Sequence, residues 1–231
     1  MSLAAASGDV STFRKLLSYP VLDSDFDNAR AYGPLSILVA KEDISSVQLF
    51  LDKGGEVDED NHLVHAGRSP LQAAVENGNL ALVDLLIHAG ANVNTPAADT
   101  YGATALQFAA IAGRLGTAKA LIGLGADLNA PGAKKGGRTA LEGAAEHGRI
   151  DMIQYLLIEG AQTTGHGLLQ YFRAIKFAQV EGHNAAANLL KGFREWTPKD
   201  RELWMLMEPM SKRECEDLSE GEFEEWSSSL E

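Results

Sequence analysis

Residues 104–129 read TALQFAAIAGRLGTAKALIGLGADLN, and residues 139–162 read TALEGAAEHGRIDMIQYLLIEGAQ. Both open on Thr-Ala-Leu, pass through small residues to a Gly at 113 or 148, and reach another at 125 or 160 after a Leu/Ile-rich stretch. Working outward, the opening signal recurs as Gly33-Pro34-Leu35, Ser69-Pro70-Leu71 and, more weakly, Arg173-Ala174-Ile175. The steps between these signals are 36, 35, 35 and 34 residues. The first glycine recurs as Gly78, Gly113, Gly148 and Gly182, with Gly8 in a partial first copy, while Glu42 stands in that slot of the second. A repeat of this length sets the whole architecture.

Each copy predicts a turn, a short helix, a tight break, a longer helix and a closing glycine. Pro at a first helical turn gives up only an N–H that has no partner there. Ala73-Ala74, Ala109-Ala110 and Ala144-Ala145 are small enough for a neighbouring helix to approach closely. Gly90, Gly125 and Gly160 fall where a helix ends in a left-handed residue. One such unit cannot bury its apolar face alone, so the units are expected to stack into an all-α solenoid.

These residues resemble ankyrin repeats over roughly residues 1–195, as about six units with degenerate ends. Two departures stand out. The family's TPLH tetrapeptide has lost its His in every copy, where Ser36, Gln72, Gln107, Glu142 and Lys176 stand instead. The turns from Asn94 to Gly102 and from Asn129 to Gly137 are also longer than the common family pattern. The string NAPGAKKGGRTALEGAAEHG resembles a long-turn subtype common in fungal ankyrin proteins.

The 231 residues are 45% hydrophobic and 23% charged, an ordinary balance for a folded chain. The formal charge of −12 is not ordinary, and it disfavours sequence-independent binding to nucleic acid or an anionic membrane. A single cysteine, Cys215, supports neither a disulfide framework nor a cysteine zinc site. With no run of about 18 apolar residues and no secretory pattern at the start, the expectation is an intracellular protein, cytoplasmic or nuclear.

Residues 196–231 break the period, and are expected to form a separate acidic tail or set of capping helices behind the 1–195 array. They carry four basic and eleven acidic side chains. Thr197-Pro198 is a helix start with a cap and Pro at the first position, and Ser211 to Glu214 spells a capping box. Residues 215–231, by contrast, have a composition in which disorder competes. The tail either caps the open end of the array or docks on a groove, its own included.

No catalytic constellation emerges. Residues 132–139, GAKKGGRT, approach a phosphate loop, but Arg138 replaces its lysine and no strand precedes it. His62 and His65 beside Asp58, Glu59 and Asp60 read as a solvated turn rather than a metal site. Thr104 and Thr139 read as structural, their hydroxyls holding the junction of turn and helix. The expectations are no enzyme activity, no cofactor and no metal.

The resemblance implies a partner surface on the concave side, made of turn tips and short inner helices. Tyr32, Arg68, Tyr101 and Arg138 precede or begin these helices; Lys41, Glu76, Asn77, Ile111, Glu146 and His147 close them; Phe172, with Tyr171, extends the row. Tyr and Arg are frequent interface anchors. The basic turn of Lys134, Lys135 and Arg138 suits an acidic peptide, or the protein's own tail. The leading expectation is a monomeric, non-enzymatic module that binds another protein. The alternatives are a transcription or signalling regulator using array plus tail, and the targeting segment of a larger protein.

Overall fold

The pattern of helix pairs is realised in a computed structural model, which describes residues 34–58 and 67–230. Tyr32, the Gly8 copy, and the His62 and His65 turn lie outside the described residues. Among the described residues there are thirteen α-helices and no named strand. They are α1 Pro34–Ala40, α2 Ile44–Asp52, α3 Pro70–Asn77, α4 Leu80–His88, α5 Ala105–Ala112, α6 Leu115–Gly123 and α7 Ala140–Glu146. There follow α8 Ile150–Ile158, a 3-10 turn at Gly165–Gly167, α9 Leu168–Val180 and α10 Asn184–Gly192. The tail supplies α11 Pro198–Met207, α12 Lys212–Asp217 and α13 Glu220–Ser229. The fold is an all-α helical-repeat solenoid.

The short helices begin at a reciprocal cap. Ser69 Oγ accepts from the Gln72 N–H (3.2 Å) while Gln72 Oε1 accepts from the Ser69 N–H (2.9 Å). The pairs Thr104–Gln107 and Thr139–Glu142 repeat this arrangement. Gln72, Gln107 and Glu142, three of the residues that replace the motif's His, are thus the closing half of a capping box. Gln72 does more, donating to the Thr95 and Pro96 carbonyls at 2.8 and 3.0 Å and so tying its helix to the following turn.

The break between paired helices demands a left-handed residue. Gly78 has φ +81°, and Glu42 occupies the same slot at φ +54° without a glycine's freedom. Three hydrogen bonds around that turn hold it: Glu42 N–H to Val39, Asp43 N–H to Leu38 and Ile44 N–H to Glu42.

The residues fall into two compact units. The first runs through Phe108 and adds Gly123–Ala126 and Gly132–Gly137. Its core joins Leu35, Leu38, Val47 and Phe50 with Leu71, Val75, Leu82 and Leu86, all fully or almost fully buried. Helix α1 packs on α3, and α2 on α4. Two successive turns are joined by a parallel bridge between Thr100 and Lys135.

The second unit comprises Ala109–Ile122, Asp127–Pro131 and the chain from Arg138 onward. Helix α9 packs on α7, α10 and α12. The weak signal Arg173-Ala174-Ile175 is not a helix start: α9 begins five residues earlier and runs through it. Position 173 carries no capping side chain and position 174 no Pro, so nothing there opens a helix. His183 sits at the N-cap of α10 but makes no capping bond there; its ring lies against Gly148 instead.

The tail is helical over 198–207, 212–217 and 220–229, including the stretch whose composition allowed disorder. Three capping boxes start its helices: Thr197 with Asp200, Ser211 with Glu214, and Ser219 with Glu222. Leu203, Trp204, Met207, Cys215, Leu218 and Phe223 are buried. Phe172 is the ring on which the tail closes, with Trp196 at 5.3 Å, Trp204 at 5.5 Å and Phe223 at 6.1 Å between centroids.

Candidate functional site

The sequence places Arg68 and Glu76 on one face as separate contact residues; the structure joins them. Arg68 Nη2 donates to Glu76 Oε1 at 2.8 Å and Nε lies 2.6 Å from Oε2, so the pair brackets helix α3. The guanidinium also rests 5.3 Å from the centroid of the Phe108 ring. Arg138 and Glu146 form the same bracket around α7, with Nε to Oε2 at 2.5 Å. The eight-residue spacing of Arg and Glu, present in two copies, is the signal that reading residue by residue passed over. The intervening copy has Ala103 and Ile111 at those positions.

The first unit leaves several expected residues open. Lys41 and Asn77 are exposed, and Arg68 and Glu76 are half-buried. Tyr101 is 75% exposed and has φ +51°. Its N–H donates to the Lys135 carbonyl at 2.9 Å, and the Lys135 N–H donates to Asp99 at 3.0 Å. A Cβ on Gly136 would lie 2.3 Å from the Tyr101 ring, so the ring lies against that glycine. Lys134 pairs with Asp99 at 3.0 Å across the same turns.

The second unit is arranged differently, because its own tail lies on the short helices. Lys212 of α12 reaches Glu146 at 2.7 Å and Glu181 at 2.5 Å, and Glu216, one turn on, pairs with Arg138. Arg138 additionally stacks on Phe177, 4.4 Å from its centroid. Arg173 donates to the carbonyls of Cys215 (2.7 Å), Glu216 (3.3 Å) and Leu218, meeting the acceptors that the end of α12 leaves open. Lys176 donates to the Glu208 carbonyl at 2.5 Å.

Two expected contact residues are therefore taken up internally. Phe172 is fully buried, and Arg138 keeps only 11% of its side chain exposed. The reason is the same for both: the tail brings aromatic and charged partners that a single repeat lacks. Glu146 is largely covered as well, Ile111 is half-buried against Gly143, and His147 remains exposed with Nδ1 3.1 Å from the Gly143 carbonyl.

Charge settles unevenly in this cluster. Burial works against the Glu146 carboxylate, but Arg138 and Lys212 outweigh it and hold the group below its ordinary range. Glu142 goes the other way: full burial pushes it up, and Arg173, 3.9 Å away, offsets only part of that. Burial likewise opposes Asp200, which Arg194 and the Thr197 donors nevertheless keep low.

Paired short and long helices, turn tips held by backbone bonds, and charged brackets on the short helices define a helical-repeat protein. A family model described as ankyrin repeats (3 copies) matches residues 1–97 and 95–165, and the chain belongs to that family. Ankyrin repeats are generally protein–protein interaction modules. No curated protein matches the chain. No described helix is long and apolar enough to cross a membrane.

Proposed function

We propose that the chain is a non-enzymatic binding module whose contact surface in the first unit centres on Tyr101, with Arg68, Glu76, Asn77 and Lys41 around the inner helix ends. The observation that carries this reading is Tyr101 itself. A bulky residue at positive φ is strained, and an aromatic ring left 75% exposed gains little from its own fold. Hydrogen bonds on both sides of the turn fix its backbone, and the ring rests against Gly136, so a partner meets it partly ordered, which lowers the entropy lost on binding. Ile111 and His147 of the second unit are assigned to the same role.

Affinity capture from the source cells, quantified by mass spectrometry, tests the reading. A protein recovered by the intact chain and lost with Tyr101→Ala or Arg68→Glu supports it. Equal recovery by all three chains overturns the assignment of this surface.

A second reading, a regulator whose tail masks a surface, is favoured by the Lys212 and Glu216 contacts. The double variant Lys212→Gln/Glu216→Gln loosens the tail without deleting the residues it buries. Under the masking reading it captures more partner than the intact chain; under the plain module it captures the same amount.

A further inference from the structure

In an acidic protein, one hollow of the second unit is walled by cations and indoles. It measures about 390 Å³ and is lined by Lys191, Arg194, Trp196, Arg201 and Trp204, with no carboxylate among them. Lys191 Nζ lies 5.0 Å from the centroid of the Trp204 ring, and Trp196 meets Trp204 edge-on at 5.7 Å. Among the described residues neither Lys191 nor Arg201 has a carboxylate partner, whereas every other cation facing the tail is paired or donates to a carbonyl.

Arg194 supplies the decisive detail. Its guanidinium stacks 5.1 Å from the centroid of Tyr171. Nη1 donates to Asp200 (2.7 Å) and to the Glu195 carbonyl (3.0 Å). The opposite edge, Nε and Nη2, is buried and has no acceptor. Those two N–H groups form the side-on fork with which arginine receives two oxygens of one phosphate or carboxylate. Burying donors without an acceptor costs stability, so the fork favours a ligand that brings one.

We infer that the Lys191–Arg194–Arg201 hollow binds a phosphoryl group. Three cations against the single carboxylate of Asp200 leave a surplus of two charges, which matches a phosphate dianion better than a carboxylate. The indoles of Trp196 and Trp204 flank the ligand and take the apolar body that carries it. The group comes either from a free small phosphate or from a phosphorylated side chain of a partner; the recognition chemistry is the same.

The indole emission reads occupancy directly, because Trp196 and Trp204 both line the hollow. The intact chain is titrated at constant ionic strength with inorganic phosphate, a short phosphotyrosine peptide, the same peptide unphosphorylated, acetate and chloride. A saturable change is expected with inorganic phosphate and with the phosphopeptide. A phosphopeptide about tenfold tighter than phosphate assigns the source to a modified side chain, and equal affinity assigns it to a free phosphate. Lys191→Gln/Arg201→Gln removes two cations without ion pairs, with an unchanged circular dichroism spectrum as the check on the fold; binding is expected to weaken at least about tenfold. Arg194→Lys keeps the charge beside Asp200 but loses the fork, and weakens binding too. Phosphate acting no differently from chloride overturns the inference, as does equal binding by the double variant. Acetate saturating as well as phosphate overturns the phosphoryl assignment.

Discussion

Arg138 is held by Glu216, 78 residues further along the chain, and this ion pair turns an expected contact residue into a clasp for the tail. The same guanidinium binds Glu146 and lies on Phe177, so three elements converge on one side chain. Arg138→Ala leaves Glu216 without its partner and Glu146 with Lys212 alone in a half-dry setting, and is expected to cost about 2–4 kcal/mol. Arg68→Ala breaks the matching bracket where both side chains are over one-third exposed, and is expected to cost less than about 1 kcal/mol. Urea unfolding followed by circular dichroism measures both. Equal losses would show that Arg138 does not hold the tail.

Stability should fall in acid through Glu146. Its folded carboxyl titrates below the ordinary range, so its contribution is complete above the unfolded value and disappears as pH drops through the folded one. Asp200 acts in the same sense. Glu142 acts oppositely, since a raised carboxyl regains stability when protonated. Glu146→Gln is therefore expected to be destabilising at pH 7 and to converge with the parent chain as the pH falls through the depressed range of the folded carboxyl. Urea midpoints measured from pH 7 to pH 3 give the comparison; a gap that does not narrow would remove Glu146 from the acid response.

Cys215 reports on the tail. Its thiol is fully buried and burial pushes its ionisation up, against the pull of Lys176 and Arg173. A thiol both covered and protonated reacts slowly. Labelling with a disulfide reagent at pH 8 is expected to be far slower in the native protein than in urea, and faster in Lys212→Gln/Glu216→Gln. Native labelling at the unfolded rate would mean that the tail does not stay docked.

Glycine substitutions separate the tight turns from the open helix. A Cβ at Gly137 would lie 1.9 Å from the Ala133 nitrogen, and one at Gly102 2.4 Å from the Ala98 nitrogen, both fixed backbone. Each Gly→Ala change there should cost about 1–3 kcal/mol. At Gly116 in α6 nothing lies within 4 Å, so Gly116→Ala is expected to add about 0.5–1 kcal/mol. Thermal unfolding of the three variants checks the order; a stabilised Gly137→Ala would contradict the turn geometry.

What is local and periodic can be read from residue order alone. Thr-Ala-Leu and Ser-Pro-Leu signals mark helix starts because a cap, a proline and a small residue act within one turn. Even Glu42 in a glycine slot was legible, and its positive φ is what the slot requires. The capping-box role of Gln72, Gln107 and Glu142 went unread among the lost histidines, although their three-residue spacing after Ser or Thr carries it. The weak copy at Arg173 misled because its helix is set by α7, α10 and α12 packing against it, not by a cap. Which side chains stay available is set by packing between distant segments. Phe172, Arg138 and Glu146 occupy expected contact positions in every local respect. Their burial comes from residues 24 to 78 positions away, and no periodic pattern records which distant segment satisfies a charge or covers a ring.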